Sequence, residues 1–332
     1  MASILITGGA GFIGSHLAET LLDEGREVVV LDSFDDFYDP AVKRKNLEGL
    51  VGQPGFALVE GDIRDGKLVE SVFSSHPIGV VVHLAARAGV RPSIQQPLLY
   101  ADVNVNGTVV LLEACRHHGI GKFIFGSSSS VYGNNSKVPF SEKDEVDRPI
   151  SPYAATKRAG ELICATYHEL HQLNIFALRF FTVFGPRQRP EMAIHKFTRL
   201  IDRGLPVPRF GDGSTRRDYT YISDIVAGVQ RAIERVQGFE IINLGGSQTT
   251  SLKDLIVLLE GRLGKKAIIE EAPDQPGDVV ATYADVAKAR RLLGYEPKVP
   301  VTEGLARFVE WYRRPEVSAD RPATKPGPGK RR

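Results

Sequence analysis

The chain opens with a short buried-type strand, Ser3-Ile4-Leu5-Ile6-Thr7. It runs directly into Gly8-Gly9-Ala10-Gly11-Phe12-Ile13-Gly14 and then into the apolar, periodic stretch from Ser15 to Leu22. The pattern reads as strand, tight turn and helix. A second run, Glu27-Val28-Val29-Val30-Leu31, ends on Asp32. Glycines alone carry little weight. Between a strand and a helix, with an acid closing the next strand, they have the context that a dinucleotide fold requires. They permit the turn, and the helix N-terminus then faces a pyrophosphate. Gly8, Gly11, Phe12, Ile13 and Gly14 are the candidate contacts. Asp32 can accept hydrogen bonds from an adenosine ribose and would repel a 2′-phosphate, so the expected cofactor is NAD rather than NADP.

Residues 56–59 and 79–84 read as two more buried parallel strands. Asp62 and Ile63 follow the first and are candidate adenine contacts. Leu84, Ala85 and Ala86 follow the second, where small residues let a cofactor lie near the backbone. Residues 98–117, which include Asn104 and Asn106, read as one long helix. Alternating strands and helices imply an α/β fold, a Rossmann-type doubly wound parallel sheet with right-handed crossovers.

A second constellation lies further along. Lys122-Phe123-Ile124-Phe125 has strand character and leads into Ser127-Ser128-Ser129-Ser130-Val131-Tyr132-Gly133. Ser151-Pro152 then opens a helix, with serine as N-cap and proline in the first turn. On it Tyr153 and Lys157 stand four residues apart and share a face. A tyrosine of ordinary pKa, about 10, is a poor base at neutral pH, but a nearby ammonium favours its phenolate. Such a phenolate takes the proton of a substrate alcohol as hydride leaves the same carbon, while Ser128 holds the alcohol oxygen. Ser128, Tyr153 and Lys157 are therefore the candidate catalytic residues, with Tyr153 and Lys157 also expected to touch the cofactor.

Composition narrows the class. A net charge of +2 over 332 residues, with no strongly basic internal block, argues against nucleic acid as a partner. The two cysteines, Cys115 and Cys164, make neither a disulfide framework nor a zinc site, and read as buried thiols. No His/Cys/Glu cluster has ligand spacing, so no metal is expected. No signal peptide precedes the first strand and no apolar run looks long enough to span a membrane, so the expected location is cytoplasmic, away from membranes. The segment 315–332, rich in Pro, Gly, Lys and Arg, reads as a disordered basic tail.

Together, the glycine turn, the Ser128/Tyr153/Lys157 set and Arg217-Asp218-Tyr219 make residues 2 to about 312 resemble an extended short-chain dehydrogenase/reductase, and within it the nucleotide-sugar 4-epimerases. The resemblance implies an NAD-binding part over 1–182 with returning segments near 219–245, a smaller C-terminal α/β part for the UDP-sugar over 183–313, and a homodimer formed through 98–117 and the helix carrying Tyr153. Sugar 4,6-dehydratases carry Asp-Glu just before Val-Tyr-Gly, and decarboxylating relatives carry Glu. This chain has Ser129 and Ser130, which cannot supply that carboxylate. Arg179 to Ala193, residues 34–40 and Ala88-Gly89-Val90-Arg91 are similar to UDP-glucuronate 4-epimerases, and glucose/galactose epimerases typically have Asn where Thr182 stands.

The substrate implied is UDP-glucuronate, a UDP-hexuronic acid, epimerised at C4 through a 4-keto sugar with tightly held NAD. A UDP-glucose/UDP-galactose 4-epimerase is the alternative, and a UDP-glucuronate decarboxylase a more distant one. A guanidinium can hold the uronate carboxylate in bidentate fashion. Arg189 is the candidate, with Arg87 and Arg91 behind it, and Ser129, Ser130 and Thr182 supply hydroxyls. The competing reading pairs Arg189 with a protein acid or leaves it facing solvent. By resemblance Arg217 meets the diphosphate, with Asp218 orienting it, and Asp278 meets the uridine ribose. Asp224 and Ser251 read as helix caps, and His195 as a packing residue.

Overall fold

The computed structural model describes residues 2–273 and 279–318. From the N-terminus, β1 (Ser3–Thr7), α1 (Phe12–Asp23), β2 (Val28–Asp32), α2 (Pro40–Leu47), β3 (Phe56–Glu60), α3 (Gly66–Ser75) and β4 (Ile78–His83) alternate strictly. After α4 (Val90–Gln95), a long helix is built from α5 (Pro97–Ala101), a π-helical turn at Asp102–Asn106 and α6 (Gly107–His117). Then come β5 (Lys122–Ser128), α7 (Pro152–His171) and β6 (Asn174–Phe180).

The second half begins with β7 (Thr182–Phe184), α8 (Ala193–Asp202), β8 (Pro206–Phe210), β9 (Arg216–Arg217) and β10 (Tyr219–Tyr221). It continues through α9 (Ile222–Arg235), β11 (Phe239–Leu244), β12 (Thr250–Ser251), α10 (Leu252–Leu263) and β13 (Ile268–Ala272). It closes with α11 (Ala287–Leu293), α12 (Val301–Arg313) and the short α13 (Pro315–Ser318).

Seven parallel strands form one sheet in the order β11-β6-β5-β4-β1-β2-β3. Strand side chains alternate between faces. Ile4, Ile6, Val28, Val30, Val80 and Val82 pack on one side, and Leu5, Val29, Leu31 and Val81 on the other. Both faces are covered, which is why these strands read as continuous apolar runs. Each fully buried aliphatic side chain contributes about 1.5–3 kcal/mol. The chain leaves β1 toward β2 and β3 and returns to the opposite side with β4. The switch point therefore lies between the carboxyl ends of β1 and β4, where an open α/β sheet offers its crevice. β11 returns from the second half to pair with β6, within the returning segments that the resemblance implied. The two-stranded pairs β7/β10, β9/β12 and β8/β13 lie in the second half.

Local signals hold at several ends. Ser151 caps α7, accepting from Ala154 N, with Pro152 at its first turn, and Ser251 caps α10, accepting from Asp254 N. Cys115 and Cys164 are buried. His195 packs against Phe308 and Trp311 and is bonded through Nδ1 to the Gln188 carbonyl.

Other expectations need correction. Residues 98–117 are not a uniform α-helix, because the turn at Asp102–Asn106 widens to π. The 21-residue stretch Pro97–His117 is also long and apolar enough, by length and composition, to cross a membrane, contrary to the reading of the sequence. Its Leu111, Leu112, Ala114 and Cys115 are packed in the core on one face of the sheet. Asp224 does not cap α9; it sits in the first turn and accepts from Val299 N, tying α9 to the segment before α12. The segment 315–332 is not wholly irregular, since Pro315–Ser318 is helical, and residues beyond 318 lie outside those described.

Candidate active site

A cleft of about 500 Å³ runs along the carboxyl ends of β1, β4 and β5. Gly8, Gly11, Phe12, Ile13 and Gly14 line one end. Gly8 has φ +71°, and a Cβ there would sit 2.7 Å from Ala85 N. A Cβ on Gly14 would meet the Gly8 carbonyl oxygen at 2.4 Å. The turn is therefore closed against the loop after β4, and neither contact leaves room for a side chain. Gly11 is the N-cap of α1 and brings no side chain over the helix start. The result is a bare backbone cradle suited to an anion.

Asp32, at the end of β2, lines the same region. One carboxylate oxygen accepts from Ala10 N at 3.0 Å and the other from Phe34 N at 2.9 Å. Each oxygen keeps lone-pair capacity for a ligand hydroxyl. Burial pushes this carboxyl above its usual value, against those two bonds. Asp62, Ile63, Leu84, Ala85 and Ala86 complete that end. The Asp62 carboxylate is engaged by Arg64, which bridges to Asp102.

Ser128, Tyr153 and Lys157 stand together at the other end. The Ser128 hydroxyl acts on the Tyr153 phenol and favours its ionisation. Ser128 Oγ also accepts from Ser130 N at 3.2 Å and from the Ser130 hydroxyl at 3.0 Å. The Tyr153 ring lies edge-on to Tyr100 at 6.3 Å. Lys157 Nζ donates to the Gly126 carbonyl oxygen at 2.7 Å and lies over the Phe125 ring.

The electrostatics differ from the sequence-based expectation. Burial raises the Tyr153 pKa, opposed by the Ser128 hydroxyl and the Arg189 charge. Lys157 is itself lowered to about 8 by burial. The cation acting on the phenol is thus Arg189, from a separate loop, while Lys157 is directed to the backbone of β5.

Ser129, Ser130, Thr182, Arg189 and Arg217 line the cleft as well. Arg189 pairs through Nε with Glu191 at 3.3 Å, and its guanidinium also lies over the Phe37 ring at 5.5 Å. Arg189 therefore has an acid partner, as the competing reading expected, and it also lines the cleft. Asp218 does not orient Arg217. It is buried and accepts from the Gly246, Ser247 and Ala284 amides and the Thr220 hydroxyl. Arg217 donates instead to the Arg216 carbonyl. Asp278 lies outside the described residues. Among the described residues, no group of three or more His, Cys, Asp or Glu is placed to hold a metal.

A family model described as GDP-mannose 4,6 dehydratase matches residues 5–308. The chain belongs to this family of extended short-chain dehydrogenases/reductases. A UDP-glucuronate 4-epimerase of Thermodesulfobacterium geofontis is 43% identical over 312 residues, covering 94% of this chain and 96% of that protein. The crystal structure of a Bacillus cereus UDP-glucuronic acid 4-epimerase, in complex with UDP-glucuronic acid and NAD, is 39% identical with a TM-score of 0.89. It covers 93% of this chain and 98% of the other. A Thermotoga maritima UDP-glucose 4-epimerase with UDP-glucose is 37% identical with a TM-score of 0.87, covering 94% and 98%.

This dehydrogenase/reductase site has members that sequence reasoning passed over. Asn104, in the π turn, accepts from Arg87 N and donates to Arg87 O and Thr156 Oγ1, so it ties the loop after β4 to α7. An asparagine within an apolar helical run was the available signal. Arg87, already a candidate from the sequence, pairs with Asp35, and its guanidinium lies over the Phe37 ring at 5.1 Å. Phe37 thus touches both Arg87 and Arg189. The resemblance of residues 34–40 marked its neighbourhood but gave Phe37 no role, because its position depends on how the loop after β2 folds across the cleft.

Proposed function

We propose that the chain interconverts UDP-glucuronate and UDP-galacturonate by epimerisation at C4. The observation that carries this reading is one cleft holding the Ser128/Tyr153/Lys157 group together with Arg189, Thr182, Ser129 and Ser130. The cradle at Gly8–Gly14, the Asp32 carboxylate and the small Ala85-Ala86 pair fit NAD. Bound NAD supplies the hydride acceptor and, on the return, the hydride donor. Residues 1–182 with returning segments near 219–245 are assigned to the cofactor, and 183–313 mainly to the UDP-sugar.

In the forward direction the Tyr153 phenolate takes the proton of the C4 hydroxyl, giving a 4-keto sugar as the C4 hydride departs. Ser128 donates to that C4 oxygen and holds it in line. After the sugar turns about its link to the diphosphate, Tyr153 returns the proton and the opposite configuration is made. Arg217 holds the diphosphate as a remote anchor, so binding energy is applied away from the reacting carbon. Arg189 holds the carboxylate, with Thr182, Ser129 and Ser130 as hydroxyl partners. The 4-keto uronate is a β-keto acid, and holding its carboxylate out of line with the carbonyl π system opposes loss of carbon dioxide. Ser129 and Ser130 offer no carboxylate for the water elimination that the family model's name describes. Asp278 is assigned to the uridine ribose. The chain is assigned to the cytoplasm as a homodimer through the 98–117 helix and α7, on which Leu98 and Leu162 are exposed.

Purified protein mixed with UDP-glucuronate or UDP-glucose, without added NAD, and followed by proton NMR tests the reading. UDP-galacturonate in the first sample alone is expected. UDP-galactose in the second sample alone would replace the uronate with the neutral hexose, the reading that the Thermotoga maritima likeness favours. No product in either would overturn both.

A further inference from the structure

Three consecutive residues at the end of β5 face one stripe of α7. Lys157 Nζ donates to Gly126 O, the Ser127 hydroxyl donates to Glu161 Oε1 at 2.6 Å, and the Ser128 hydroxyl acts on the Tyr153 phenol. Tyr153, Lys157 and Glu161 follow at intervals of four, so they form one stripe along the helix. Glu161 is fully buried. Arg179 is the direct cross-strand partner of Ser127 in the β5–β6 register. It donates to both Glu161 oxygens, Nε and Nη2 each at 2.8 Å. Arg158, one turn earlier on α7, adds a bond to Oε2 at 3.2 Å. The remaining face of the Arg179 guanidinium lies over the Tyr132 ring, and its Nη1 has no hydrogen-bond partner.

A buried ion pair of this kind is weak evidence for net stability, because desolvation offsets much of the attraction. Its placement is more informative. One carboxylate joins two strands to the helix at the level where the reacting hydroxyls are held, and it stands one turn from Lys157. We propose that Glu161 is a positioning residue that sets Ser128 against Tyr153 and keeps Lys157 an ammonium. The inference rests on the function proposed above. Burial acts most strongly on Lys157 and lowers it, Cys164 and then Glu161 on its own helix oppose that, and His83 at the end of β4 feels its charge. His83 and Cys164 are neutral at ordinary pH, which leaves Glu161 as the negative charge among them.

Glu161→Gln keeps an oxygen for Ser127 and removes the charge. In the NAD-loaded protein, kcat for UDP-glucuronate should fall by roughly tenfold or more, as when partners supporting a reacting group are lost. KM should stay within about twofold, because substrate contacts are untouched. The Lys157 titration midpoint, followed by NMR of 13Cε-lysine and assigned with Lys157→Met, should move to lower pH. The alkaline limb of the rate profile should move with it. Since this variant leaves Arg179 buried without its partner, Glu161→Gln/Arg179→Met is measured beside it. The double variant should fold at least as well as the single one and still show the lowered Lys157 midpoint. A Lys157 midpoint and kcat equal to wild type in a folded variant would overturn the proposal and reduce Glu161 to a packing role. Wild-type protein that turns over no UDP-sugar would instead overturn the proposed function, and the lysine titration would still decide the role of Glu161.

Discussion

Lys157 donates to the Gly126 carbonyl oxygen at 2.7 Å, which ties the helix carrying Tyr153 to the strand end carrying Ser128. The bond also explains how a lysine with 4% of its surface exposed is tolerated. Lys157→Met keeps the aliphatic stem over Phe125 and deletes the donor. The expected outcome is a kcat lower by roughly a hundredfold or more, the scale of losing a group that supports proton transfer. Release of bound NAD by denaturation, read by absorbance, separates a loss of cofactor from a loss of chemistry. Activity within a few-fold of wild type at full NAD content would remove Lys157 from the mechanism.

Tyr153→Phe removes the phenol oxygen on which the Ser128 hydroxyl acts while keeping the ring that meets Tyr100. Epimerisation should be nearly abolished. Stability should change by only about 1 kcal/mol, the net worth of one hydrogen bond. Urea unfolding and NMR turnover on the same preparation check both halves. Substantial turnover by a folded, NAD-loaded variant would transfer the base role to another group.

The parts of this molecule that were legible in the sequence are those in which one residue type has one structural use. Glycine next to a strand, valine runs with both faces covered and serine before proline each point to one local structure. β1, β2, β4 and the start of α7 follow from them. The π turn was hidden because Asp102-Val103-Asn104-Val105-Asn106 keeps a helical apolar spacing whichever hydrogen bonds close it. Glu161 and Arg179 were hidden for a different reason. A glutamate on an amphipathic helix ordinarily faces water, and only the register of β5 with β6 brings Arg179 onto it. The direction of the Tyr153 shift was misread because the sequence shows Lys157 four residues away but not the burial that outweighs it.

Arg189 faces the cleft while paired with the half-exposed Glu191, so it can exchange that partner for a substrate carboxylate. Arg189→Ala should lower kcat/KM for UDP-glucuronate by roughly 10- to 100-fold, the range for a charge-assisted hydrogen bond. Any turnover of UDP-glucose should change much less. If the guanidinium also keeps the keto acid from breaking down, carbon dioxide and a UDP-pentose should appear in the variant's reaction mixture. Unchanged kinetics on the uronate would assign its carboxylate to Thr182, Ser129 and Ser130 without Arg189.

His83 closes β4 beneath the cleft in a hydrogen-bond chain whose direction is fixed. The Thr108 hydroxyl donates to Asn104 O at 2.6 Å, so its oxygen accepts from His83 Nε2–H at 3.0 Å. His83 Nδ1 then accepts from the Thr7 hydroxyl at 2.7 Å, and Thr7 Oγ1 accepts from Ala85 N. A second proton on the ring would face a donor. Burial, and secondarily the Lys157 charge, lowers the His83 pKa to about 3. The unfolded chain therefore binds more protons than the folded one between about pH 3 and 6.5. Stability is full above that window and falls as pH drops through it, by about 1.4 kcal/mol per unit. His16, lowered to about 4 mainly by burial, acts in the same direction. Asp218, pushed up to about 6 by burial, acts in the opposite one. Comparison with His83→Gln, whose amide keeps a donor and an acceptor, isolates the His83 share. Between pH 7.5 and pH 5, urea unfolding should show wild type losing about 2 kcal/mol more than the variant. Equal losses would mean that His83 takes up its proton inside the fold, and the chain from Ala85 to Asn104 would have to run in another direction.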